Sequence, residues 1–192
     1  MAALVYYVAT SVDGFIARPD GSFGDFPWDP EFGAHLLDTY PETFPAHLRS
    51  GPVSAEGNRR FGAVLMGRHT YEVGVDAGVV SPYPTLRQFV FSTRLRESPS
   101  PDVALVREDA AEVVTRLKRE EARDVWLCGG AVLAASLFEA GLVDEVVVKL
   151  NPVLFGAGIP LLARPVPTVA LDLRDLRRFP SGHAWLHYDV RR

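Results

Sequence analysis

The chain has 192 residues, 47% apolar and 23% charged, which are the proportions of one ordinary globular domain. A domain of this size buries roughly 70% of its unfolded surface, enough for a core without a staple. The single cysteine, Cys128, excludes an internal disulfide framework and a cysteine-rich zinc site. A formal net charge of -4 argues against non-specific nucleic-acid binding, and no apolar run approaches the ~18 residues of a membrane span. With no basic leader between Met1 and Thr10, a cytoplasmic protein is expected that meets neither membrane nor nucleic acid.

Leu4 to Thr10 is rich in β-branched and aromatic residues and stops at Asp13-Gly14, so it reads as a buried strand followed by a turn into Phe15-Ile16-Ala17. Between Pro19 and Pro52 stand Pro27, Pro30, Pro41 and Pro45. Any helix there must be short, and Glu31 to Tyr40 is the best candidate. This stretch is where a lid or substrate loop is expected.

Ala63 to Met66 reads as a strand ended by Gly67, with a helix opening at Arg68-His69-Thr70-Tyr71-Glu72. Further strands are expected at Gln88 to Phe91 and Val103 to Val106. Asp109 then caps a helix over Ala110 to Arg119, whose Val113, Val114 and Leu117 share a face. Asp124 to Leu127 is another strand. Cys128-Gly129-Gly130 turns from it into a helix over Ala131 to Ala140, stopped by Gly141. Val146 to Leu150 is a strand, Gly156 and Gly158 mark a loop, and the last strands are expected at Val169 to Leu173 and Ala184 to Val190. Strands alternating with helices and ending in two strands predict one α/β domain, its sheet mostly parallel with an antiparallel C-terminal hairpin and helices on both faces.

Three buried strands end in related elements: Gly67-Arg68-His69-Thr70, Ser92-Thr93-Arg94 and Gly129-Gly130-Ala131. In a parallel sheet the carboxyl ends share one edge, where ligands collect. Free N–H groups and the dipole at a helix start favour phosphate, glycine permits close backbone approach, and arginine adds charge-assisted contacts. Together the three describe a polyanionic nucleotide pocket. Singly they are weaker: the glycine pair is also an ordinary tight turn, Arg94 a solvated side chain and His69 a helix-terminal residue. No G-x-G-x-x-G fingerprint, G-x-S-x-G elbow or metal-ligand spacing is present, so no metal is expected.

Asp13-Gly14 is a standard turn pair, and its carboxylate also suits a polar ring or ribose at the sheet edge. Phe26 and Trp28 read equally as loop anchors or as a stacking surface for an aromatic substrate. Cys128 reads as a buried small side chain.

These residues resemble the dihydrofolate reductase-like superfamily, in particular the group similar to the C-terminal reductase domain of bifunctional riboflavin-biosynthesis deaminase/reductase proteins. Ser11-Val12-Asp13-Gly14-Phe15-Ile16-Ala17 is similar to that group's S-x-D-G-x-I-A segment, and Val64 to Glu72 resembles the strand and turn of dihydrofolate reductases. Ser92-Thr93-Arg94, the Gly129-Gly130 helix, and Gly141-Leu142-Val143-Asp144-Glu145 through Asn151-Pro152-Val153-Leu154-Phe155-Gly156 complete the order.

The resemblance implies NADPH as cofactor. Gly67, Arg68, His69 and Thr70 would meet the pyrophosphate and adenosine phosphate, and Ser92, Thr93 and Arg94 the 2'-phosphate. Gly129, Gly130, Ala131, Val132 and Leu133 would cover the pyrophosphate from the other side. Ala9 and Ile16 would contact the nicotinamide, with Asp13 as catalytic and substrate-side residue and Trp28 beside the substrate. The riboflavin-pathway group usually carries Glu immediately before the glycine pair, where this chain has Cys128. The acid of dihydrofolate reductases falls in the proline-broken stretch, where Asp29, Glu31, Asp38, Glu42 and Glu56 are all candidates.

The expected activity is hydride transfer to a pterin-like or pyrimidine-like heterocycle, the proton coming from Asp13 or an ordered water. A protein that binds NADPH without turnover and a reductase of small carbonyl compounds are the alternatives, and a homodimer is an expected assembly.

Overall fold

A computed structural model describes residues 1–49 and 54–192. The end of the proline-rich stretch, with Gly51 and Pro52, lies outside the described residues. The strands are β1 (Leu4–Thr10), β2 (Phe15–Ala17), β3 (Phe61–Gly67), β4 (Arg87–Phe91), β5 (Val103–Val106), β6 (Asp124–Gly129), β7 (Glu145–Leu150), β8 (Ile159–Pro160), β9 (Leu171–Arg178) and β10 (Ala184–Val190). The helices are α1 (Pro30–Thr39), α2 (Arg68–Asp76), α3 (Ala110–Glu120) and α4 (Ala131–Glu139).

Eight strands form one sheet in the order β5-β4-β3-β6-β1-β7-β10-β9. Six are parallel, from β5 to β7; β10 runs antiparallel to β7, and β9 antiparallel to β10. This is the expected mostly parallel sheet with its antiparallel hairpin.

Side chains alternate across a strand, so both faces of a central strand must be apolar when both are covered. On β1, Leu4, Tyr6 and Val8 pack with Val114, Leu117 and Leu137 of α3 and α4. Val5 and Tyr7 point the other way, toward Phe32 and Leu36 of α1, Tyr71 of α2 and the indoles of Trp126 and Trp185. Helices therefore lie on both faces, as the pattern predicts.

Local signals set the helix boundaries. Asp29 caps α1 by accepting the Phe32 N–H at 2.7 Å, and Pro30 sits at the first position, where its missing N–H costs nothing. Asp109 caps α3 through the Ala111 and Glu112 N–H groups, and Tyr40 closes α1 before Pro41.

Two elements depart from expectation. The strand placed at Val169 to Leu173 is β9, Leu171–Arg178. Its Asp and Arg residues weaken the apolar signal, yet an edge strand pairs through its backbone regardless, and all eight of its residues are exposed. The second is β8, two residues paired antiparallel with β2 inside the segment read as loop.

Gly158 makes that pairing possible. A Cβ there would sit 2.3 Å from the Ala17 carbonyl oxygen and 3.1 Å from Phe15 Cβ. Gly158→Ala is expected to separate β2 from the loop and cost about 2 kcal/mol, the usual scale of overpacking, measured by denaturant unfolding.

Candidate active site

Three of the parallel strands deliver the site. Gly67 pairs with Phe91, and Met66 with Gly129, so the chain leaves β3, β4 and β6 at adjacent points of one edge. The three elements singled out in the sequence, Gly67 to Thr70, Ser92 to Arg94 and Gly129 to Leu133, are thereby brought together.

The helices that start there carry no side-chain cap. Gly67 precedes α2 and Gly130 precedes α4, leaving the first N–H groups of both helices for an external acceptor. Thr70 Oγ1 accepts the Gly130 N–H at 3.0 Å and ties the two starts together. Glycine is required at Gly129 by its backbone conformation, and at Gly67 and Gly130 it keeps the seam open. Gly129 has φ +154°, and a Cβ on Gly67 or Gly130 would stand 3.7 Å from Gly130 or 3.6 Å from Thr70 Oγ1, filling the cradle. Ala131 and Leu133 are buried and anchor the α4 turn, while Val132 is exposed.

Arg68 forms an ion pair with Glu72 at 2.7 Å and touches His69 Nε2 at 2.8 Å. Ser92 Oγ accepts the N–H groups of Arg94 and Leu95 at 3.1 and 3.0 Å. Its hydroxyl shapes the turn, which presents the exposed Thr93 and Arg94. Among the described residues, no carboxylate pairs with Arg94. The cradle, the two helix starts and the Arg94 guanidinium thus present positive groups along one edge.

Asp13 lies in the turn between β1 and β2. Its carboxylate accepts from Ser11 Oγ at 2.6 Å, from the Gly156 N–H at 2.7 Å and from the Phe155 N–H at 3.1 Å. The Ser11 hydrogen bond, helped by the two backbone donors, holds its carboxyl down to about 2. In that state Asp13 latches the turn to the 155–156 segment and has no proton to give. Ile16, one residue beyond Phe15, packs partly against the core face under α3 and α4. Ala9 pairs with Lys149 on β7.

The proline-rich loop reaches the same segment. Phe26 stacks on Phe155 with ring centroids 4.9 Å apart, and Arg18 donates to the Phe155 carbonyl at 3.0 Å and pairs with Asp25 at 2.6 Å. Phe26 is thus an anchor. Trp28 is 68% exposed, and its ring lies over Gly33 of α1, where an added Cβ would come within 2.4 Å. The sequence treats these two aromatics alike; the structure separates them.

The structure gives the five acidic candidates different settings. Asp29 is the α1 cap, Asp38 pairs with Arg59 at 3.0 Å, and Glu31 and Glu56 are exposed. Glu42 is buried and accepts the N–H groups of Arg59, Arg60 and Phe61 at 3.2, 2.8 and 2.7 Å, at the opposite, amino end of β3.

Lys149 was not singled out from the sequence, where it sits inside the strand run Val146 to Leu150. Its Nζ lies 4.1 Å from the Tyr7 ring centroid, on the α1 side of the sheet toward the carboxyl end of β7. Beside it, Cys128 Sγ is 4.0 Å from Tyr83 Oη. The available signal was scarcity: Lys118 and Lys149 are the two lysines of the chain.

Among the described residues, no group of His, Cys, Asp or Glu is arranged to hold a metal, and no helix is long and apolar enough to cross a membrane.

This sheet order and edge define a dihydrofolate reductase-like fold. The chain superposes on the dihydrofolate reductase of Enterococcus faecalis, solved with NADP(H), with a TM-score of 0.62 at 13% identity, covering 99% of this chain and 97% of the other. It also superposes on a candidate riboflavin biosynthesis protein from Shewanella sp. PV-4 with a TM-score of 0.73 at 22% identity, over 100% of both chains. The chain belongs to the RibD C-terminal domain family, whose model matches residues 2–184. In sequence it is 29% identical over 184 residues to the uncharacterized protein YwjB of Bacillus subtilis (strain 168), covering 96% of this chain and 95% of that protein.

Proposed function

We propose that this protein is an NADPH-dependent reductase that transfers a hydride to a pterin-like or pyrimidine-like heterocycle. The observation that carries the reading is the convergence of Gly67 to Thr70, Ser92 to Arg94 and Gly129 to Leu133 on one edge, with two helix starts that carry no side-chain cap and an Arg94 that no carboxylate among the described residues pairs with. Membership of the RibD C-terminal domain family and the shared fold with an NADP(H)-binding dihydrofolate reductase support it.

In this reading the dinucleotide supplies the hydride, and the chain binds and orients. The α2 and α4 starts receive the pyrophosphate between them, with Arg68 and His69 alongside. Thr93 and Arg94 take the 2'-phosphate, on a turn held by Ser92. Ala9 and Ile16 border the nicotinamide. Asp13 keeps the 155–156 segment against the β1–β2 turn, and Trp28 offers an exposed ring on the substrate side.

Thr70→Val removes the acceptor that fixes Gly130. NADPH is expected to bind about tenfold more weakly, the scale of one hydrogen bond, while the fold persists. Calorimetry on the two proteins checks it.

Asp29, Asp38 and Glu42 are committed to the α1 cap, to Arg59 and to the start of β3, which favours one second reading, a reductase of small carbonyl compounds. The deciding assay follows NADPH consumption with 7,8-dihydrofolate, 7,8-dihydrobiopterin, 5-amino-6-ribosylaminouracil 5'-phosphate and methylglyoxal. Consumption with a heterocycle supports the proposal, and consumption with methylglyoxal alone supports the carbonyl reading. Tight NADPH binding with no consumption points to a binding protein without turnover.

A further inference from the structure

Of the two lysines, Lys118 donates to Asp144 and to the Leu142 carbonyl at 2.5 and 2.9 Å, an ordinary structural anchor. Lys149 has no such partner: among the described residues, no carboxylate lies within ion-pair distance of its ammonium. Lys149 is half-buried; holding a charge partly out of water without an opposite charge beside it is costly, and a chain keeps such a group where it meets a ligand more readily than where it serves packing alone.

Its neighbours come from every element around it. Tyr7 of β1 lies beneath the ammonium, and Trp185 of β10 is its cross-strand partner. Cys128 of β6 and Tyr83 lie on the same side, and α1 covers them with Tyr40 and His35, which pack on Trp185. Only β1 separates β7 from β6, the strand that ends in Gly129.

We propose that Lys149 is the proton donor of this site, its ammonium facing the heteroatom of the C=N or C=O bond that is reduced. The proposal rests on the reductase reading.

The step balances as follows in atoms and electrons. Hydride from the dihydronicotinamide forms the new C–H bond, and the π pair of C=N or C=O moves to the heteroatom. That atom takes a proton from Lys149 Nζ, forming N–H or O–H as the Nζ–H bond breaks. The dinucleotide leaves oxidised, and the neutral amine regains its proton from water.

The other titratable groups here are poorly matched to the task. Asp13 is held as carboxylate, burial pushes the Cys128 thiol up to about 11, and burial raises Tyr7 and Tyr83 further. Burial, then Arg177, shifts His35 downward, disfavouring its charged form, and its Nδ1 meets the Thr39 hydroxyl and Arg177. Burial, partly opposed by Cys128, brings Lys149 down to about 8, so it is cationic at neutral pH yet close to releasing its proton.

The test combines turnover with a readout independent of it. In protein labelled with ¹³C at lysine Cε, Lys118→Arg assigns the two signals. The Lys149 signal is expected to titrate near pH 8 and to move when NADP⁺ and folate are added together. A signal in the ordinary lysine range, or one that both ligands leave in place, overturns the proposal whether or not turnover is found. With a consumed substrate, Lys149→Met is expected to bind NADPH normally, lower kcat by about 10²- to 10⁴-fold and lose the fall in kcat at high pH. Lys149→Arg, which keeps the charge but does not release a proton, is not expected to rescue kcat. Unchanged kcat in Lys149→Met overturns the role of Lys149 alone, whereas a wild-type protein that fails to bind NADPH overturns the reductase reading beneath it.

Discussion

Arg94→Ala is expected to weaken NADPH binding by about ten- to a hundredfold while changing NADH affinity less than about threefold, because only NADPH carries the 2'-phosphate. Arg94 is exposed on the turn after β4, and Ser92 Oγ holds that turn through the Arg94 and Leu95 N–H groups. A guanidinium with no carboxylate partner among the described residues loses little when it engages a phosphate, and a charge-assisted hydrogen bond is worth about 1.5 to 3 kcal/mol. Arg68 provides the contrast. It is already paired with Glu72, so Arg68→Ala is expected to weaken both dinucleotides alike. Calorimetric titration of each variant with both dinucleotides measures the ratio, and equal losses in Arg94→Ala would remove the 2'-phosphate from that residue.

The largest effect on stability is expected at the opposite edge of the sheet. Glu145, at the start of β7, receives Arg60 Nη2 at 2.6 Å and His187 Nε2 at 2.6 Å, with Arg174 at 3.3 Å. Arg60 also meets Asp124 at 2.9 Å, so the network pins the starts of β3, β6 and β7 and the middle of β10. Burial opposes the charge on Glu145, but the hydrogen bonds from His187 and Arg60 outweigh it and bring the carboxyl from 4.5 down to about 2.

A depressed carboxyl contributes stability above its unfolded value and loses it as pH falls toward its folded one. Glu145 is therefore expected to stabilise the native state at neutral pH by on the order of 3 kcal/mol, a contribution lost as pH falls from about 4.5 to 2. Glu145→Gln keeps the shape and removes this charge. It is expected to lower Tm at pH 7 by roughly 6 to 12 °C and to flatten the acid limb of the stability profile over that window. Thermal unfolding across pH measures both, and an unchanged acid limb would mean that the network carries little of the fold's pH dependence.

The contrast between these edges explains what was legible in the sequence. Strand and helix signals are local: the apolar run Leu4 to Thr10, the cap at Asp109 and the turn at Gly129-Gly130 each act within a few residues, and each stands where expected. The three strand-end elements were legible for the same reason, since a parallel sheet places carboxyl ends together whatever its strand order.

What escaped depends on partners distant in the chain. Asp13 reads as a turn residue, and only folding brings the Phe155 and Gly156 N–H groups to it, fixing it as an acceptor. Glu42 was one of five equivalent acids until the start of β3 closed over it. β8 is too short to carry a periodicity, and β9 is too charged to show one along its whole length. Lys149 stands inside the strand run Val146 to Leu150, and its isolation is a property of what its neighbours lack.

The central claim is that this edge is an NADPH site. Its most direct test is a calorimetric titration of the wild-type protein with NADPH and with NADH, cross-checked by quenching of tryptophan fluorescence. The account predicts saturable one-to-one binding of NADPH, at least tenfold tighter than NADH. Absence of binding by either dinucleotide would contradict it and leave the fold without the reductase function proposed for it.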